Sequence, residues 1–102
     1  MTQAVQSKTR RLVVEKREEI KRIAREHGAY HVRLLGSVVR DQDRPDSDID
    51  LLVDVGPTTR SWFPAGLILD LEALLGRKVK VVTERALNPY LCEHVLSEAV
   101  EL

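Results

Sequence analysis

Asp48 and Asp50 are separated by one residue in the run Ser47-Asp48-Ile49-Asp50-Leu51-Leu52-Val53. Side chains alternate along a β-strand, so on a strand both carboxylates project from one face. Held together away from water they repel, and one of them is driven toward its protonated form. A divalent cation removes that conflict. Mg²⁺ takes hard oxygen ligands, usually one or two carboxylates, and completes its shell with water and phosphate oxygens. A solvent-facing strand with two exposed acids has the same spacing, and a short motif of this kind recurs by chance.

Gly36-Ser37 lies upstream, at the end of the apolar run His31-Val32-Arg33-Leu34-Leu35. Glycine lets backbone approach a ligand closely, and serine offers a hydroxyl beside its N–H. Successive N–H groups at such a turn, or at a helix start, form an anion site. Arg40 follows one turn later and can face the same phosphates. Alone, Gly-Ser is a simple turn. The combination is more specific: ten residues separate Ser37 from Asp48. A phosphate cradle and a metal site are thereby set on neighbouring strand ends, which suits a nucleoside triphosphate and its Mg²⁺.

The elements that must position these residues can be followed along the chain. Residues 1–7 are polar and expected to fray. Residues 8–27 predict one helix, with Val13, Ile20, Ile23, Ala24 and His27 near one face and Gly28 as its stop. Residues 31–35 predict a strand, 37–47 a turn and loop, and 48–53 a second strand. In that second strand Ile49, Leu51 and Val53 oppose Asp48, Asp50 and Leu52. Pro64 opens a helix striped by Leu67, Leu71 and Leu74 or Leu75, which ends at Gly76. Residues 79–82 predict a third strand. Asn88-Pro89 starts a last helix whose buried face is Leu91, Val95 and Ala99. The expected fold is a small α/β (α+β) domain spanning 1–102, with a mixed three-stranded sheet and flanking helices.

Composition narrows the function. Sixteen basic and sixteen acidic residues cancel, so the excess of positive charge typical of direct nucleic-acid binding is missing. No apolar run is long enough to span a bilayer. Cys92 is the single cysteine, so nothing points to an oxidising compartment, and a cytoplasmic location with no membrane partner is expected. A domain this small is marginal alone. A partner or a homo-oligomer would help it.

The blocks Leu34-Leu35-Gly36-Ser37-Val38-Val39-Arg40 and Ser47 to Val53 resemble the minimal nucleotidyltransferases of the DNA polymerase β-like superfamily. The likeness runs from about Arg11 to Leu102 and includes Leu75-Gly76-Arg77-Lys78-Val79 and Asn88-Pro89-Tyr90-Leu91. It implies Mg-ATP binding, with Gly36, Ser37, Arg40 and Ser47 on the nucleotide and Asp48 and Asp50 as metal-binding catalytic acids. It also implies a partner, since members are often antitoxins of HEPN-domain RNase toxins and silence them by transferring AMP to a tyrosine hydroxyl.

One position departs from that pattern. Such enzymes carry a third carboxylate on the next strand, where this chain has Lys80 in Val79-Lys80-Val81-Val82. A lysine ammonium has no acceptor and cannot ligate Mg²⁺. Either the protein is an impaired enzyme that neutralises its toxin by binding alone, or Lys80 contacts phosphate while Asp54 or Glu84 assists. A strand lysine reaching to water is the third alternative. Asp41 is a lesser departure, at a position where relatives usually have Gly. Template-directed polymerisation is disfavoured, because the chain lacks the length and charge to grip a template. His27, His31 and His94 lack metal-ligand spacing. Cys92 reads as a structural thiol, and Trp62-Phe63 as a core or rim pair.

Overall fold

A computed structural model describes residues 8–39, 48–57, 63–84 and 89–102. The chain begins with α1 (Lys8–Glu15) and α2 (Arg17–Glu26). These replace the single expected helix, because Lys16 leaves helical dihedrals at φ −99° and ψ 9°. Hydrogen bonding nevertheless runs through the break, from Lys16 N–H to the Leu12 carbonyl and from Ile20 N–H to the Lys16 carbonyl. Glu18 and Glu19 lie in the first turn of α2 and Arg25 in its last, which complements the helix dipole. Gly28 follows with φ 84° and turns the chain into β1 (Ala29–Leu35).

A short 3₁₀ turn at Gly36–Val38 leads away from β1, and β2 (Ile49–Val55) returns antiparallel to it. The α3 helix (Ala65–Leu75) then crosses over to β3 (Val79–Thr83), which lies parallel to β2. A parallel neighbour requires such a crossover. Leu67, Leu71 and Leu75 are the buried stripe of α3, and Gly76 closes it at φ 65°.

The sheet has four strands, not three, in the order β3-β2-β1-β4. After α4 (Pro89–Glu98), the two residues of β4 (Val100–Glu101) pair with Leu34 and Arg33. Two residues carry no alternation to read, and β4 exists only because β1 offers a free edge.

The two sheet faces differ. Val32, Leu34, Ile49, Leu51, Val53 and Val79 join Val13, Ile20, Ala24, Leu67 and Leu71 in one core beneath α1 to α3. Burial of this kind supplies most of the stability of a small domain, at about 25 cal/mol per Å² of apolar surface. His27 ties two of these helices together, with Nε2 2.7 Å from Asp70 Oδ2 on α3. Phe63 packs at the edge of the core, while Trp62 lies outside the described residues. The opposite face carries Asp50 and Lys80 in register, flanked by Leu35. The expected buried face of α4 is shallower than the sequence suggested. Val95 and Ala99 are half-buried, and the Leu91 and Cys92 side chains are outside the description.

Candidate functional site

The site lies where β1 ends and β2 and β3 begin. Gly36 takes φ 76°, a backbone region that side chains disfavour. A Cβ built there would lie 2.6 Å from Asp50 Oδ2. The glycine therefore lets the turn press against the Asp50 carboxylate. Val38 is fully buried and anchors the turn in the core. Arg10 Nη1 donates to the Val39 carbonyl at 3.0 Å and secures its exit.

Asp48 stands just before β2, and Asp50 is the second residue of that strand. The Ile49 N–H donates to the Lys78 carbonyl at 2.8 Å, which clamps the start of β2 to the approach of β3. Asp50 is half-buried. Burial pushes its carboxyl above the ordinary range, Lys80 pulls it down, and Asp48 pushes it up again. Asp50 Oδ1 is buried with no hydrogen-bond partner among the described residues. A buried carboxylate oxygen left unpaired is costly, and a cation bound there would satisfy it.

Lys80 projects from β3 on the same face, and its Nζ lies 3.5 Å from Asp48 Oδ2. Both side chains are substantially exposed, so this pair adds little to stability. Its interest is positional, since it puts a positive charge where the resemblance expects a third acid. Neither suggested substitute acid reaches the site. Asp54 and Glu84 instead face Arg33, at 2.7 Å and 3.8 Å from its guanidinium.

A cleft of about 370 Å³ opens over this row, with Leu35, Gly36, Asp50, Lys80 and Val82 as its floor. His94, Val95 and Glu98 of α4 form the other wall. His94 Nε2 lies 3.4 Å from Glu98 Oε1. From the sequence, His94 showed only that it lacks metal-ligand spacing, and Glu98 carried no mark of its own. The helical spacing of four residues between them was the one available signal. A larger cleft of about 770 Å³ lies at the far end of β2, lined by Tyr30, Asp54, Gly56 and Glu84. Its two acids are already paired with Arg33, so the smaller cleft holds the chemistry.

The structure brings Gly36, Asp48, Asp50 and Lys80 together. The Ser37 backbone is part of the 3₁₀ turn, and its side chain is outside the description. Arg40, Asp41 and Ser47 lie outside the described residues. The donor set fits Mg²⁺: two carboxylates, one with an oxygen that has no partner among the described residues, beside a glycine turn with no room for a side chain. No group of three His, Cys, Asp or Glu side chains suited to a metal occurs among the described residues. Water and phosphate would therefore complete the shell.

A four-stranded mixed sheet with a Gly-Ser turn facing an Asp-x-Asp strand is a nucleotidyltransferase arrangement. The nucleotidyltransferase domain pattern matches residues 16–102, and the chain belongs to that family. Over 88 residues it is 35% identical to a Methanocaldococcus jannaschii protein inferred to be a protein adenylyltransferase, covering 82% of this chain and 95% of that one. A solved structure of an inferred minimal nucleotidyltransferase matches with a TM-score of 0.82 and 43% identity, covering 91% and 95% of the two chains. A chain in a crystal structure of a toxin–antitoxin with AMP-PNP matches with a TM-score of 0.69 and 23% identity, covering 82% and 69%. At that identity the last likeness concerns the fold alone.

Proposed function

We propose that this chain is an Mg²⁺-dependent adenylyltransferase and the antitoxin of a HEPN-domain RNase toxin, which it silences by transferring AMP from ATP to a hydroxyl group. The observation that carries this is the contact between the Gly36 turn and the Asp50 carboxylate, whose Oδ1 is buried and without a partner among the described residues. The inferred activity of the M. jannaschii relative supports adenylyl transfer. The nucleotide-bound toxin–antitoxin fold supports the partner and the substrate.

In this proposal Gly36, Ser37, Arg40 and Ser47 hold the phosphates. Asp48 and Asp50 hold the metal, which when bound supplies neutralising charge at the transferred phosphoryl group. The attacking hydroxyl oxygen bonds to the α-phosphorus. The bond from that phosphorus to the bridging oxygen breaks, pyrophosphate leaves with the electron pair, and the hydroxyl proton passes to water. The chain contributes position and charge, and placing two reactants correctly is itself a large part of such a rate enhancement. We place the protein in the cytoplasm as one working domain over residues 1–102, with self-association open. No helix among the described residues is long and apolar enough to cross a membrane.

A second reading has its own observation. Lys80 Nζ sits 3.5 Å from Asp48, and no third acid joins the pair in a metal-suited group among the described residues. On this reading the chain neutralises its toxin by binding alone. Intact-mass spectrometry of the cognate HEPN protein, after incubation with this chain and Mg-ATP, separates the two. AMP-sized additions that vanish with Asp48→Asn are expected for the enzyme. A stable complex with no mass addition would establish the binding-only antitoxin.

A further inference from the structure

Two carboxylates on one face of a strand leave two negative charges to be balanced. Lys80 lies directly across from Asp50 in the parallel pairing of β2 and β3. Its ammonium reaches the other acid, 3.5 Å from Asp48 Oδ2. Asp48, Asp50 and Lys80 together therefore carry one net negative charge before any ligand arrives. One divalent cation takes it to one positive charge. With an aspartate at position 80 the same site would carry three negative charges, and two divalent cations would be needed to reach the same balance.

We propose that Lys80 serves as the resident cation of this site, so that the chain takes one divalent ion with its nucleotide where an acid at position 80 would admit two. The inference rests on the adenylyltransferase reading and specifies its metal requirement. Three features of the structure carry it. The ammonium occupies one oxygen of Asp48, an oxygen that a second ion would need. It also repels a further cation at that position, and it offers no lone pair to hold one. The remaining acid near the cleft does not replace the missing ligand. Glu98 stands on the α4 wall, where the imidazole of His94 lies 3.4 Å from its carboxylate. Asp50 Oδ1 has no partner among the described residues and is the oxygen left for the single ion. Lys80 is then a charge-positioning residue, with its ammonium also available to the nucleotide phosphates.

Counting bound ions tests this without any turnover. Mn²⁺ stands in for Mg²⁺ and is counted by electron paramagnetic resonance, with α,β-methylene-ATP as a nucleotide that cannot be transferred. The wild-type chain is expected to hold one Mn²⁺ per bound nucleotide, and Lys80→Asp two. The Lys80 side chain is 68% exposed, so the substitution leaves the core intact, and an unchanged unfolding midpoint checks that. Lys80→Gln removes the charge without adding a carboxylate ligand. It is expected to tighten Mn²⁺ binding by about tenfold in calorimetric titration, as loss of a unit charge beside a divalent ion implies. Two ions in the wild type, one ion in Lys80→Asp, or unchanged affinity in Lys80→Gln would each overturn the role of Lys80. Failure of every variant to bind the nucleotide would instead overturn the adenylyltransferase reading on which it rests.

Discussion

Gly36 is the residue whose replacement separates shape from chemistry most cleanly. Alanine there meets two obstacles, the positive φ of 76° and an Asp50 oxygen 2.6 Å from the new methyl group. Gly36→Ala is expected to destabilise the fold by about 1–3 kcal/mol and to abolish nucleotide binding. Urea unfolding and calorimetric titration with ATP measure the two effects separately, and retained binding would show that the turn does not cradle phosphate. At this scale the sequence was informative. Gly36, Asp48 and Asp50 were marked by type and spacing, and the fold brings them together. The Asp48 contact of Lys80 was not legible, because it depends on the register between two strands that 23 residues of chain (56–78) separate.

Among the elements, β4 is the least self-sufficient. It has two residues, and side chains help to hold it. His31 sits at φ 52° on β1. Its Nδ1 lies 2.9 Å from Asp54 Oδ2, and its Nε2 contacts Glu101 of β4. Hydrogen bonds to Asp54 and then Glu101 raise the His31 pKa above its ordinary 6.5. Burial disfavours ionisation of Asp54, but His31 and Arg33 outweigh it and hold that carboxyl below the usual range. The signs follow from linkage. The contribution of His31 is complete below pH 6.5 and is lost as pH rises through its raised folded value. The contribution of Asp54 is complete above 3.8 and is lost as pH falls through its lowered folded value. The stability gap between wild type and His31→Gln is therefore expected to be widest between these limits and to close on the alkaline side. His31 is partly exposed, so the gap should stay below about 1 kcal/mol. Thermal melts across pH, with hydrogen exchange at the Val100 and Glu101 amides, check it. A gap that widens toward alkaline pH would contradict the bridge. Helices and long strands were legible from their periodicity, whereas β4 and the break at Lys16 were not, since neither leaves a repeating pattern.

At the scale of the whole molecule, stability rests on one core between the sheet and α1 to α3. Leu51 and Leu71 both belong to it and are 0% and 1% exposed. Leu71→Ala is expected to cost about 2–5 kcal/mol. Small domains have only about 5–15 kcal/mol in total, so this variant should lose a large share of the fold's stability, which a lowered denaturant midpoint would show. Leu69→Ala on the same helix is a control, because Leu69 is 66% exposed and its loss should change stability by less than about 0.5 kcal/mol. If both variants melted together, Leu69 would belong to an interface rather than to open surface.

Residue type and order alone made legible the class of fold, the core stripes of α3 and β2, and the residue types suited to phosphate and a cation. Those features are local: they depend on residue type, on spacing of two or four along the chain, and on glycines that stop elements. Tertiary structure decided the fourth strand, the Arg33 network with Asp54 and Glu84, the α4 wall of the cleft, and the charge that Lys80 brings to Asp48. Each of these arises where segments distant in sequence meet edge to edge or face to face. Their geometry is set by strand register and helix packing, which no single stretch of the chain encodes.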